Sequence, residues 1–363
     1  MLSTDQIVAL RPVINRPQPS TDPIDVLHEV EAADCHGNLA NVTTVLLRGS
    51  ECSFKCTMCD LWKSTHIGPT PVGNLPAQIQ RAIATQSVSF DVASFGPFET
   101  GSVSEGPRSG VDLTMQKGPS LTLRVMKNQA NPSLDSRSQS PQWIKLYNAS
   151  NFFAPYNVPS EDLPNIASLV KDYDRVVVEN HPLLTSERIR EFADQLNGQL
   201  EVAMGLETVE PTALRNLNKQ ISVEDVRRAT DQLASYGVSV RLFVLLRPPG
   251  LSESAGIEWC LASLDAARNW GVRHVSVIPV RGGNGALEFL QSQGNFESPL
   301  ASSLEQVLDE SLRKSSMVVA ADLWDWQRLR GLCDACTQTR YERLRQMNLS
   351  QTPTPLIACD CRT

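Results

Sequence analysis

Residues 41–59 read NVTTVLLRGSECSFKCTMC, an apolar segment that leads directly into three closely spaced cysteines. The β-branched and apolar residues of NVTTVLL predict a buried strand that ends at Arg48. Cys52, Cys56 and Cys59 then follow with the spacing CxxxCxxC. Three thiolates on one short loop can bind three irons of a [4Fe–4S] cluster and leave the fourth iron open to a small molecule. The alternative is a structural zinc loop that takes a fourth ligand from elsewhere.

Five more strands are predicted after this loop, each a short apolar run. They are WIKLY (143–147), RVVV (175–178), LEVAMGL (200–206), VSVRLFVLL (238–246) and HVSVIP (274–279). Helical patterns separate the strands, at 76–84, 160–171, 186–196, 223–236 and 254–270, with Ser222 as the predicted N-cap of the fourth. Alternation of this kind predicts an α/β fold, a partial (βα)6 TIM-like barrel of parallel strands, in which chemistry gathers at the carboxyl ends of the strands.

The chain divides into three predicted parts. Residues 1–40 form an N-terminal arm, residues 41–285 form the barrel, and residues 286–363 form a small C-terminal extension that is rich in cysteine. Residues 86–140 interrupt the barrel, because they carry many serines, glycines and prolines without a period of two or 3.6. This interruption predicts a disordered insertion, or a segment that is not native to the fold.

Composition excludes several classes of protein. The 363 residues carry a net charge of −7 and a pI near 5.4, which argues against broad, non-specific binding to nucleic acid and leaves only a local basic groove. No stretch reaches the apolar length of a transmembrane helix, and residues 1–23 lack the apolar segment of a signal peptide. We therefore predict a cytoplasmic protein with no membrane partner.

The cysteine loop behind an N-terminal strand, followed by βα repeats, resembles the radical S-adenosylmethionine superfamily. Three stretches are similar to the subgroup that contains the elongator catalytic subunit and the archaeosine-forming radical protein: LEVAMGLETVEPTALRNLNK (200–219), VVVENHP (176–182) and KLYNASNFF (145–153). The resemblance implies a [4Fe–4S] cluster and S-adenosylmethionine, which is cleaved reductively to a 5′-deoxyadenosyl radical. It also implies a reductase, flavodoxin or ferredoxin as electron donor, and a transfer RNA or nucleoside as substrate.

Cofactor contacts are expected at the loop and at the strand ends. The predicted residues are Met58, Asn148, Ser150, Asn151, Glu179, Glu207 and Arg247. Met58 stands where many relatives carry an aromatic residue beside adenine, and its polarizable sulfur can pack against a ring. The Gly-Gly-Glu stretch of many relatives is absent after WIKLY, where the asparagines and the serine offer polar atoms instead. The structural alternatives are a polar strand end, a helix-terminal carboxylate and a simple ion pair.

Four further cysteines lie near the end of the chain. Cys333 and Cys336 form a CxxC pair, and Cys359 and Cys361 form a CxC pair beyond a basic helical stretch. Two close pairs of thiolates predict a tetrahedral zinc site or a second iron–sulfur cluster, with ordinary thiols as the remaining alternative. The sequence thus predicts a radical S-adenosylmethionine enzyme. The alternative from another class is a non-catalytic zinc-binding interaction protein that retains the barrel.

Overall fold

The computed structural model describes residues 1–88, 140–314 and 316–359. These residues contain a sheet of eight strands whose spatial order follows the order along the chain. The strands are β1 (Asp25–Ala32), β2 (Leu39–Leu46), β3 (Gln142–Tyr147), β4 (Arg175–Glu179), β5 (Gln199–Glu207), β6 (Ser239–Leu246), β7 (His274–Pro279) and β8 (Val318–Ala321).

The sheet curls into a half-barrel, as expected for a partial TIM-like fold. Strands β2 to β8 run parallel, and β1 pairs antiparallel with β2. All six predicted strands are confirmed as β2 to β7. The two additional strands, β1 and β8, lie outside the predicted barrel boundaries of residues 41 and 285 but belong to the same sheet.

Ten α-helices accompany the sheet in the described part of the chain. They are α1 (Thr4–Ala9), α2 (Asn74–Val88), α3 (Leu163–Val170), α4 (Glu187–Ala193), α5 (Pro211–Asn216), α6 (Val223–Ser235), α7 (Glu253–Asn269), α8 (Ala286–Ser292), α9 (Ala301–Leu312) and α10 (Thr337–Ser350). The five predicted helices correspond to α2, α3, α4, α6 and α7. Ser222 caps α6 as predicted, and Asp225 completes a capping box. Most of the predicted insertion, residues 89–139, lies outside the described residues. No described helix combines the length and apolar character needed to cross a membrane.

The two faces of the sheet differ in chemistry because side chains alternate along each strand. On β3, Ile144 and Leu146 are fully buried in the core between the sheet and the helices, whereas Lys145 pairs with Glu31 of β1 inside the half-barrel. Charged groups therefore fill the interior near the amino ends of the strands. The apolar layer lies outside, under the helices.

Helix α10 contacts both edge strands, β1 and β8. Two side-chain amides at the end of this helix satisfy the edge backbone of β8. Asn348 bonds both the N–H and the C=O of Ala321, and Gln351, which follows the helix, bonds both groups of Val319. An unpaired strand edge invites association with other strands. Here the C-terminal helix covers it and leaves the carboxyl ends of the strands as the open part of the half-barrel.

Candidate functional site

The cysteine loop follows β2 and is fixed by residues from distant parts of the chain. Thr57 donates its N–H to Leu217 O at 2.8 Å and its hydroxyl to Asn216 O at 2.9 Å. The Asn284 amide in turn donates to Thr57 O at 2.6 Å. These contacts join the loop to the segments that follow β5 and β7. The three cysteines are therefore held across the mouth of the half-barrel.

The thiols of the loop are partly buried. Burial raises the pKa of Cys56 to about 12, although the Lys219 ammonium opposes the change, and burial also raises the pKa of Cys59 well above its usual value. Both groups are protonated at neutral pH in the metal-free chain. A metal or cluster that binds them as thiolates must displace these protons.

Asn151, a predicted cofactor contact, is buried against the loop with both of its amide atoms engaged. Its Nδ2 lies 3.2 Å from Cys52 Sγ, and its Oδ1 accepts the His181 N–H at 2.9 Å. The His181 ring stacks on Phe54 with the ring centres 3.6 Å apart. The ends of β3 and β4 are thus tied to the cysteine loop through one asparagine and one histidine.

A buried ion pair lies beside the loop, between Lys219 Nζ and Glu207 Oε1. The ammonium is close enough to favour the thiolate form of Cys56. Gly205 leaves room for the pair, because an added Cβ would overlap both Glu207 Oε1 and Lys219 Nζ. The site therefore combines three thiols with a buried cation that compensates negative charge.

Two buried side chains near the end of β3 have polar atoms without a partner among the described residues. Asn148 is fully buried, and neither atom of its amide has a hydrogen-bond partner among the described residues. The Ser150 hydroxyl is likewise buried and unsatisfied within the described chain. Unmade hydrogen bonds of buried groups cost about 1–3 kcal/mol each, so such groups are usually satisfied by a ligand or water.

Backbone strain marks the same strand ends. Ala149 and Arg247 lie just after β3 and β6, and Glu207 is the last residue of β5. Their φ values are +54°, +56° and +65°, respectively. Non-glycine residues rarely adopt this left-handed region, and such strain concentrates at functional sites. The three positions coincide with strand ends at which the sequence predicted cofactor contacts.

Glu179 at the end of β4 lies in the same region. Burial raises the pKa of this carboxyl to about 7, against the opposing effects of the Ala149 N–H and the Lys219 charge. A carboxyl with such a pKa exchanges its proton near neutral pH. The group can therefore accept or donate a hydrogen bond to a polar ligand.

The other two predicted contacts have protein partners. Arg247 bonds Glu253 at 2.8 Å and Glu297 at 3.0 Å, which is the ion-pair alternative considered for it. Met58 packs against an apolar cluster that includes Leu217 and Leu245. Their contacts with a cofactor stay predictions.

The N-terminal segment brings positive charge to the cysteine loop. Arg11, Arg16 and Lys55 all pair with the one carboxylate of Glu51, at 2.8, 3.2 and 2.5 Å. Both arginines also lie over the ring of Trp62, 4.6 and 5.4 Å from its centre. One carboxylate thus meets three cationic groups, whose side chains are only 12%, 14% and 21% exposed.

The tail cysteines converge as predicted for a metal site. Cys333 Sγ lies 3.5 Å from both Cys336 Sγ and Cys359 Sγ, and all three sulfurs lie within 4.8 Å of one another. Arg343 holds the returning chain, since it donates to Thr354 O at 2.6 Å and Pro355 O at 2.8 Å. The fourth predicted ligand, Cys361, lies outside the described residues.

Sequence reasoning missed Lys219 and His181. A lysine in the polar run RNLNKQ looks like a surface residue, and no local signal shows that it folds against Glu207. His181 follows Glu179 and Asn180 at a strand end, which was a usable signal. All of the polar residues at the carboxyl end of a parallel strand are candidate site residues, and they should be considered together.

No family model matches the chain. The chain is similar to an uncharacterised protein of Methanocaldococcus jannaschii, with 22% identity over 232 residues that cover 60% of this chain and 63% of that protein. It is also similar to the beta subunit of archaeosine synthase from Methanosarcina acetivorans, with 26% identity over 228 residues that cover 60% of this chain and 66% of the subunit. The matched region thus spans slightly less than two thirds of these relatives.

Solved structures match the fold more weakly. Elp3 of Methanocaldococcus infernus has a TM-score of 0.43 and 15% identity, over 60% of this chain and 57% of that one. The radical S-adenosylmethionine methyltransferase TsrM of Kitasatospora setae has a TM-score of 0.38 and 12% identity, over 68% of this chain and 37% of that one. Scores at this level carry no argument about function. In sequence, however, the chain is similar to archaeosine synthase beta subunits, which confirms the resemblance predicted from residues 145–153, 176–182 and 200–219.

Proposed function

We propose that the chain is a radical S-adenosylmethionine enzyme whose [4Fe–4S] cluster is bound by Cys52, Cys56 and Cys59. The observation that carries the proposal is the position of these thiols, which a fixed loop holds at the carboxyl ends of parallel strands beside the buried cation Lys219. A three-thiolate ligand set leaves one iron open. The similarity to archaeosine synthase beta subunits adds support in sequence.

The residues present suit both groups. For the cluster, the chain offers three partly buried thiols on one loop, with Asn151 Nδ2 3.2 Å from Cys52 Sγ and the Lys219 ammonium nearby to offset negative charge. For S-adenosylmethionine, the unsatisfied amide of Asn148 and hydroxyl of Ser150 supply buried donors and acceptors. When bound to a reduced cluster, S-adenosylmethionine supplies a 5′-deoxyadenosyl radical.

The protein residues would bind, orient and shield the cofactor. Asn148 and Ser150 would bond the polar methionyl group, and Glu179 would accept or donate one further hydrogen bond. Glu207 would contact the cofactor while Lys219 holds it in place through their ion pair. The ammonium of Lys219 would also offset the negative charge of thiolates and sulfides, a charge that is costly in a buried site.

We propose a nucleoside, as part of transfer RNA, as the substrate. Arg11, Arg16 and Lys55 outnumber the one carboxylate that they share, Glu51, and this local excess of positive charge beside the cysteine loop would favour an anionic backbone. The name of the archaeosine synthase relatives agrees with a nucleoside. A reductase, a flavodoxin or a ferredoxin would supply the electron.

We propose a second metal centre at Cys333, Cys336 and Cys359, with Cys361 as the expected fourth ligand. A tetrahedral zinc site with bonds of about 2.3 Å places its sulfurs about 3.8 Å apart. The sulfur separations of 3.5 Å observed here fit ligands of one shared ion, so zinc is favoured over a second cluster. Such an ion would fasten the C-terminal segment to the start of α10.

Anaerobic reconstitution with iron and sulfide tests the proposal. The reduced protein should cleave S-adenosylmethionine to 5′-deoxyadenosine, and Cys56→Ala should not. Cys35→Ser, which lies outside both cysteine groups, is the matched control and should behave like the unchanged protein. Zinc instead of iron at the first loop, with no cleavage, would support the alternative of a non-catalytic zinc-binding protein.

A further inference from the structure

We infer that Asn151 is a positioning residue that fixes Cys52 and raises the reduction potential of the cluster bound there. The inference rests on the proposed function, since it concerns a cluster at the same loop. The potential of an iron–sulfur cluster depends on hydrogen bonds to its sulfurs and on exposure to solvent. Asn151 Nδ2 lies 3.2 Å from Cys52 Sγ, within the range of an N–H···S hydrogen bond.

The orientation of the amide is determined by its other partner. A backbone N–H can only donate, so the His181 N–H, 2.9 Å away, must face Asn151 Oδ1. The NH₂ group is consequently directed at Cys52 Sγ. In a flipped amide, the NH₂ group of Asn151 would face the His181 N–H, which is also a donor, and Oδ1 would direct a lone pair at Cys52 Sγ.

His181 is itself held from several sides, so it provides a rigid anchor. Its Nδ1 accepts the Leu183 N–H at 3.3 Å, which leaves the proton on Nε2, 3.1 Å from Lys219 O. Its ring stacks on Phe54, inside the cysteine loop, with an angle of 8° between the planes. Asn151 and His181 thus brace the loop at Phe54 and at Cys52 simultaneously.

Burial makes the hydrogen bond effective. Asn151 is 3% exposed, so water does not compete for its NH₂ group. A hydrogen bond to an ionised acceptor is roughly twice as strong as one between neutral groups. Reduction adds an electron to the cluster and makes Cys52 Sγ a better acceptor, so the Asn151 donor stabilises the reduced state more than the oxidised state. Loss of the donor should lower the potential.

The test is a redox titration of the reconstituted cluster, followed by electron paramagnetic resonance. Asn151→Leu removes the donor at similar volume. At the wild-type midpoint we expect the ratio of reduced to oxidised cluster to be about tenfold lower, which is a shift of about 59 mV to more negative potential for one electron. Asn151→Asp keeps the acceptor for His181 but places a carboxylate oxygen near Cys52 Sγ, so it should shift the potential in the same direction and further.

The matched control is Asn180→Asp. Asn180 is also buried near the ends of β3 and β4. It accepts the Phe153 N–H and donates to His181 O, and within the described part of the chain it makes no hydrogen bond to a cysteine sulfur. It should shift the potential less than either Asn151 variant.

The possible outcomes separate the inference from the proposed function. If the unchanged protein binds no cluster, the proposed function fails. If all variants bind a cluster and the Asn151 variants keep the wild-type potential, the inference alone fails. If neither Asn151 variant holds a cluster while Asn180→Asp does, Asn151 is needed for binding and the claim that it tunes the potential is wrong.

Discussion

Replacement of Glu201 by glutamine should destabilise the fold more than any change to the surface ion pairs. Glu201 is fully buried inside the half-barrel, where it accepts from Arg241 Nε at 2.6 Å and from Arg175 Nη1 at 2.8 Å. Both arginines are at least nine-tenths buried. Glutamine keeps the shape of the side chain but removes its charge, which leaves Arg175 without a buried carboxylate partner and Arg241 with Glu31 alone.

The pKa of Glu201 gives the size of the effect. Burial alone would raise this pKa, but the Arg241 and Arg175 guanidiniums lower it from 4.5 to about 2. A difference of about 2.5 corresponds to about 3 kcal/mol at about 1.36 kcal/mol per pKa unit. Removal of one partner from a buried ion pair typically costs about 3–5 kcal/mol. Because the folded-state pKa is lowered, this stabilisation is present above pH 4.5 and is lost as the pH falls towards 2.

Urea denaturation followed by circular dichroism measures the effect. At pH 7 we expect Glu201→Gln to lower the free energy of unfolding by about 3 kcal/mol, and this difference from the unchanged protein should shrink below pH 4.5. The control is Glu224→Gln, which breaks an exposed pair with Arg227 and should change stability little. If the two variants were equally stable at pH 7, the interior charges would not stabilise the half-barrel in the way described.

Three further predictions concern the candidate sites. Gly205→Ala should displace the Lys219–Glu207 pair, because its Cβ would overlap both charged groups. The reconstituted variant should therefore bind less cluster and melt at a lower temperature, and an unchanged cluster occupancy would contradict this. Burial raises the pKa of Glu179 to about 7, so the unchanged protein should become less stable as the pH rises from 4.5 towards 7, and Glu179→Gln should not show this loss. Melting temperatures that fall equally in both proteins across that range would contradict the reasoning. Cys333→Ser should lose the tail metal, read as zinc per chain by mass spectrometry, whereas equal zinc content in variant and wild type would refute the tail site.

The parallel part of the fold was predictable because its signals are local. Apolar runs such as RVVV predict strands buried on both faces, and Ser222 caps α6 with the spacing of a capping box. Strand β1, DVLHEVEA, gave no such signal, because its charged residues suggest a surface segment. Glu31 of β1 is in fact paired with Lys145 and Arg241, which lie more than 100 residues away along the chain. Strand β8 was missed because VVAA is too short to stand out.

The candidate site divides in the same way. The cysteine loop and the polar residues at the strand ends could be identified from their spacing and from their position after apolar runs. Lys219 could not, because its partner Glu207 and its neighbour Cys56 are brought to it only by the fold. The double role of Asn151 was equally hidden, since the contact to Cys52 spans 99 positions.

The central claim, an iron–sulfur cluster with one open iron at Cys52, Cys56 and Cys59, is tested most directly by electron paramagnetic resonance of the reconstituted, reduced protein with and without S-adenosylmethionine. A cluster held by three thiolates should give a signal that changes when S-adenosylmethionine binds the open iron, and Cys59→Ala should abolish the signal. A cluster signal that S-adenosylmethionine leaves unchanged, or one that survives in Cys59→Ala, would contradict the account.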